Sequence, residues 1–352
     1  MKHLLISCLF VFGSMQPCLG QSTDYTLAYY PNINEAELAI IREDHTAALS
    51  LYKKAFQSVK SGFARDYRNA IICATYTKDD AFAFEYLEKL VLKSMGKDFL
   101  SDTAYAPLRQ KKGWGKLLKE YDNLHARSLK HINGPLLAEL VAMAERDQLF
   151  RAKEGSYDVY GDTIAKIDLE NVNRFRQLVK EFGFPSEDMI GAFVSEQNAP
   201  YNIVLLHHAQ NLSNTNYNYP IASSLASIIE LAAKEGKCSA NHAGFLLTMQ
   251  NDKSLNYGAM GINQLSVNGQ LRPYFLLDKF SDDQLDGINQ KRASIGLESL
   301  DDFRMKCQYR LDHPNTLFKL SSHQNLNIWD MDEVMAKDFE PYFDKITPTF
   351  QK

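Results

Sequence analysis

Apolar residues in the first hundred positions recur at helical spacing, and that pattern excludes most β architectures. Ala48, Tyr52, Ala55, Phe56 and Val59 fall at i, i+4, i+7, i+8 and i+11, along one face of a helix that Asp44 is placed to cap. Tyr67, Ile71 and Ala74 line a second such helix. Ala83, Leu87, Leu90 and Val91 line a third, with Asp79 and Asp80 at its positive N-terminal end. Upstream, Asn34-x-x-Glu37 reads as a capping box opening a helix through about Arg42. The expectation is a set of helical hairpins.

The two hairpins share a register. Ala48, Tyr52 and Ala55 match Ala83, Leu87 and Leu90, each 35 positions on. Small residues on either side of a large one let paired helices approach closely. Over about residues 34–94 this pattern resembles a degenerate tetratricopeptide repeat, whose period is about 34. The resemblance implies a peptide-binding or purely structural stack. Two repeats are too few to stand alone, so the segment around Trp114–Tyr121, or the second domain, is expected to cap them.

Residues 1–20 read as a secretory leader: Lys2, an apolar run Leu4–Phe12, then Cys18-Leu19-Gly20 before Gln21. Cleavage near Gly20 is favoured over a lipid anchor at Cys18, because Pro17 stands where a small residue belongs. Cys73, Cys238 and Cys307 remain after cleavage. They permit one disulfide, Cys238–Cys307 among the options, or none. The formal net charge of −4 argues against a nucleic-acid or anionic-membrane partner. No later run is long and apolar enough for a membrane span.

After Asn133-Gly134-Pro135 a new helix is expected, with a stripe of Leu137, Leu140, Val141 and Ala144 continued by Asp147, Gln148 and Arg151. Residues 152–167 read as a loop, in which Tyr157 and Tyr160, with Tyr217 and Tyr219 further on, could line a groove. Asp168 reads as the cap of the next helix, which Gly183 and Pro185 end. Tyr201, Val204, Leu205 and His208 form one helical face with His207 beside it, and His242, Phe245, Leu246 and Met249 form another. Val267-Asn268-Gly269-Gln270 lies between β-like runs and signals a hairpin. Helices resume at Ser281–Ile295 and Ser299–Cys307.

The order of these motifs, over about residues 136–306, resembles an exported bacterial family of unknown function. The carriers are Asp147-Gln148, Asp168–Val179, Gly183-Phe184-Pro185, Val204–His208-Ala209, Tyr257-Gly258, Asn268-Gly269 and Ile288–Arg292 through Leu297. His207 stands where the family has glutamine, and Ala259-Met260 replaces its Thr-Gln. The resemblance implies no reaction.

The fold class expected is mainly α: a helical-repeat-like module at 24–121, a helical domain with a small β-hairpin at 122–310, and a tail at 311–352. The expected role is binding, with a protein or peptide partner on the helical module. The alternative is a hydrolase-like enzyme using Asp147, His208 and Tyr257, with His207 and His242 as binding candidates. Adjacent His207 and His208 diverge by about 100° on a helix, so they cannot easily share a metal. No metal or cofactor is predicted. Glu196 is expected in solvent, and Lys291-Arg292 and Arg304 in surface ion pairs.

Overall fold

The computed structural model describes residues 23–193, 195–213, 224–250, 256–258, 261–321 and 326–349. The leader-like segment, Tyr217 and Tyr219 lie outside them. The protein is mainly helical with a small four-stranded sheet. Its N-terminal helices are α1 (Tyr29–Ile41), α2 (His45–Gln57), α3 (Ala64–Tyr76) and α4 (Asp80–Leu92), followed by α5 (Lys112–Leu129). Asp44 accepts from the Ala47 N–H at 2.9 Å and Asp79 from the Phe82 N–H at 3.2 Å, so both expected caps form. Ala48, Tyr52 and Ala55, and their counterparts Ala83, Leu87 and Leu90, are all buried.

The capping box at Asn34 and Glu37 does not form. α1 starts five residues earlier, where Tyr29 and Tyr30 pack edge-on at 5.4 Å between ring centroids. Glu37 is therefore inside the helix and fully buried. Its charge is met from far along the chain by Lys306, at 2.7 Å.

The second part contains α6 (Gly134–Arg151), α7 (Ser156–Phe182), α8 (Glu187–Ile190), α9 (Pro200–Ser213), α10 (Ala226–Lys234) and α11 (Ala240–Thr248). Asn133 caps α6 at 3.0 Å. The buried stripe of α6 is Leu136, Leu140, Met143 and Asp147, while Val141 is exposed. That stripe is rotated by about one position from the expected one. The loop expected at 152–167 shrinks to a turn at Gly155, whose φ is +83°. The 27-residue α7 absorbs the rest, because Ile164, Ile167 and Val172 bury against neighbouring helices. Asp168 is consequently mid-helix and buried, not a cap.

β1 (Ile262–Val267) and β2 (Gln270–Asp278) form the expected hairpin. Asn268 and Gly269 both have positive φ, +50° and +78°, as a type I′ turn requires. Then come α12 (Asp282–Ser294) and α13 (Leu300–Asp312). The tail adds β3 (Leu326–Met331), α14 (Glu333–Phe339) and β4 (Phe343–Ile346), giving strand order β3-β1-β2-β4 with β3 parallel to β1. Side chains alternate across the sheet. Ile262 and Leu277 pack on Phe303 and Cys307 of α13, while Leu265, Val267 and Leu276 pack with Ala336 of α14.

One apolar core runs from Tyr25 to Leu320 and crosses the expected boundary near residue 121. Tyr30 binds the Ala233 carbonyl at 2.9 Å, and the turn at Gly296 lies against its ring. A Cβ at Gly296 would fall 2.1 Å from that ring, so glycine is required there for space as well as for its φ of +87°. Cys73, Cys238 and Cys307 are buried free thiols, and the optional Cys238–Cys307 bridge is not formed. No helix among the described residues is long and apolar enough to cross a membrane.

Candidate functional site

The residues that could carry chemistry converge where α6, α7 and α9 pack. Asp147 and Arg151 are one turn apart on α6. His207 and Asn211 are one turn apart on α9, and Asp168 comes from the middle of α7. The Asp147 side chain is 1% exposed. Its Oδ1 accepts from His207 Nδ1 at 2.7 Å and from Gln148 Nε2 at 2.8 Å, and lies 3.2 Å from Arg151 Nη1. Its Oδ2 is buried without a hydrogen bond among the described residues.

Arg151 supplies the countercharge. Its Nη2 reaches both oxygens of Asp168, at 2.8 and 2.7 Å. Nη1 donates to the Asp147 carbonyl at 2.7 Å and Nε to the Tyr157 hydroxyl at 2.9 Å. Asn211 Nδ2 donates to Asp168 Oδ2 at 2.6 Å. Burial pushes the Asp168 carboxyl above its usual range, a rise that Arg151 only partly offsets. The Arg151 guanidinium is held above its own ordinary value by the two carboxylates against the opposing effect of burial.

The pairing differs from the expected one. Asp147 binds His207, not His208. The neighbouring ring turns away by one helical step, as adjacent positions must. His208 is buried, and burial, with the nearby Arg176, lowers its pKa to about 4. Tyr257 is also elsewhere: its hydroxyl donates to Glu230 at 2.7 Å, and its carbonyl accepts from Arg292 at 2.7 Å. The expected set of Asp147, His208 and Tyr257 is therefore not assembled. Arg292 is corrected as well. It is buried, and its Nε donates to the Glu298 carbonyl at 2.6 Å, so it is no surface ion pair.

With Asp147 as acceptor, Nδ1 of His207 is the donor. In the neutral ring Nε2 is then left as the basic nitrogen, an arrangement usable by a general base or a metal ligand. Asp147, Asp168 and His207 bring one donor atom each within 4.8 Å of one another, so these three are the residues that could hold a cation. The fit is poor, because Arg151 already occupies the position between both carboxylates and would have to be displaced.

His242 reaches a different feature. It is fully buried on α11, with its pKa lowered by burial to about 4. It lines a cleft of about 340 Å³ together with Phe63, Arg65, Glu196, Ser239 and Lys319. Glu196 is thus no solvated side chain: its carboxylate accepts from the Ser239 N–H at 2.8 Å and from the Ser239 hydroxyl. A second cleft of about 250 Å³ shares Arg65, Phe193 and Lys319 and adds Arg68 and Tyr105. Arg65 is paired with Asp66 at 2.7 Å, and Arg68 with Asp102 at 2.8 Å. Among the described residues, no carboxylate comes within ion-pair distance of Lys319. Burial and the adjacent Arg68 hold its ammonium below the usual lysine value, against the weaker attraction of Asp102.

Sequence reasoning missed Asp168 and Asn211 as partners, and Lys319 altogether. The i, i+4 spacing of Asp147 with Arg151 and of His207 with Asn211 carried a signal for the first cluster. Nothing local marks Lys319. No family model, curated protein or solved structure matches the chain.

Proposed function

We propose that this is an exported, soluble helical binding protein whose ligand enters the joined clefts around Lys319. One observation carries the reading: a half-buried ammonium that no carboxylate among the described residues reaches at ion-pair distance, in a wall shared by two cavities that Phe63, Phe193 and Tyr105 make partly apolar. A buried charge seeks a partner. An organic anion with an apolar body supplies both the charge and the shape. Export rests on the leader-like residues 1–20, and a peptide presenting its carboxylate is one ligand of this kind.

Thermal unfolding with benzoate, octanoate, succinate and inorganic phosphate tests the reading. A ligand that binds only the folded state raises the melting temperature. At least one of these anions is expected to do so for the wild type and not for Lys319→Met. No shift with any of them, or equal shifts in the variant, overturns the proposal.

A hydrolase-like enzyme remains the second reading, favoured by the 2.7 Å contact of Asp147 with His207. Release of p-nitrophenol from p-nitrophenyl acetate, abolished by His207→Gln at an unchanged urea midpoint, would carry it. Equal rates for the two proteins remove it.

A further inference from the structure

A third cleft, of about 550 Å³, opens where the N-terminal hairpins meet the end of α13. Its walls are flat rings. His45, the first residue of α2, stacks on Tyr76 at 4.1 Å between centroids and on Phe318 at 5.6 Å. On α13, Tyr309 stacks on His313 at 4.2 Å. Phe318 is buried at the base, whereas Tyr76 is 58% exposed. A large aromatic ring left this open beside a cavity is an unsatisfied contact surface.

The polar lining narrows the ligand class. Glu43, Asp312, Asn315 and Thr316 border the cleft, and it has no lysine or arginine in its wall. Phosphorylated and other anionic ligands would meet like charge there. His45 Nδ1 is buried and has no hydrogen-bond partner among the described residues. Burial lowers the pKa of that ring, although Glu43 and Asp44 oppose the shift. The acceptor-rich side chains of the wall suit a ligand that donates hydrogen bonds, which a sugar hydroxyl does and a quaternary ammonium cannot.

We propose that the cleft between Tyr76, His45, Phe318 and Tyr309 is a binding site for a neutral sugar ring. The C–H face of the sugar lies on the open side of Tyr76, and its hydroxyl edge meets the carboxylates of Glu43 and Asp312. The site is separate from the clefts around Lys319, so it stands or falls independently of the function proposed above.

Calorimetric titration of the full chain with cellobiose, maltose, lactose and N,N′-diacetylchitobiose tests it. Saturable binding of at least one disaccharide is expected. Tyr76→Ala, a change at an exposed side chain that leaves the fold intact, is expected to weaken binding about tenfold, the loss of one stacked ring. Three outcomes overturn the proposal: no binding of any of the disaccharides, binding unchanged in Tyr76→Ala, or binding of choline in place of the sugars.

Discussion

Lys306→Met is expected to destabilise the folded protein by about 3–5 kcal/mol, the range for removing one partner of a buried ion pair. Lys306 is 1% exposed and Glu37 fully buried. The ammonium lies 2.7 Å from Glu37 Oε2 and 3.7 Å from Glu298, and it donates to Asn34 Oδ1 at 2.7 Å and Ser321 Oγ at 3.0 Å. Ser321 in turn binds Glu37 and Glu298. This network ties α1 to α13 and to the segment that leads into β3. Burial alone would raise the Glu37 carboxyl, yet Lys306 and Arg65 hold it below the usual range. Once Lys306 is gone, Glu37 is left buried with the Ser321 N–H as donor and only the more distant Arg65, at 3.4 Å, as countercharge. The double variant Lys306→Met with Glu37→Gln is therefore expected to recover at least half of the loss, since no unmatched charge remains. Urea midpoints of the wild type, the two single variants and the double variant measure this. A single-variant cost below about 1 kcal/mol would mean that the pair behaves like a surface one.

The same residues explain how far the sequence could be read. Helices whose apolar stripe is continuous and whose cap is a side chain, such as α2 and α4, are legible because both signals are local. The Asn-Gly hairpin is legible for the same reason. Glu37 misleads because its spacing from Asn34 imitates a capping box, while its partner lies on α13. β3 and β4 are short strands of the tail whose partners, β1 and β2, are distant in sequence, so no local pattern announced a four-stranded sheet. α7 continues through Gly155-flanked, tyrosine-rich sequence because tertiary burial of Ile164 and Ile167 outweighs weak local propensity.

The candidate cluster was half legible. Asp147 stands out in the sequence because a carboxylate on an apolar stripe needs a partner, and Arg151 lies on the same side. The choice between His207 and His208 turned on a rotation of α9 that the sequence does not fix. His208 lies on the apolar face, which reads first as a core histidine and second as a catalytic one, and that placement seals it in the core. Lys319 is on a segment without regular structure, held by Asn69 through its backbone at 2.9 Å in both directions. A contact made by 250 residues of chain return leaves no trace in local spacing.

Between about pH 6.5 and pH 4, His208 and His242 are expected to make the protein progressively less stable. Burial is the first cause of both shifts, and each pKa falls from 6.5 to about 4. The sign follows from proton uptake. As the pH drops through 6.5, the unfolded chain protonates both rings, while the folded chain keeps them neutral until about pH 4. The unfolded state therefore binds more protons in this window, and stability falls with falling pH. Each ring contributes about 3 kcal/mol across the full interval, at 1.36 kcal/mol per pKa unit. Buried carboxyls act the other way. Asp278 is pushed up to about 6 by burial, and Asp66, Asp168, Glu187 and Glu196 are raised as well, so their folded forms take up protons first. The histidine contribution is thus isolated by difference. Urea unfolding at intervals from pH 7 to pH 4 should show the stability of His208→Gln with His242→Gln, relative to the wild type, rising as the pH falls, whatever the variant's stability at pH 7. That difference should change by several kcal/mol in total over the interval. Parallel profiles would mean that both rings titrate alike in the folded and unfolded chains, which burial of this depth does not permit.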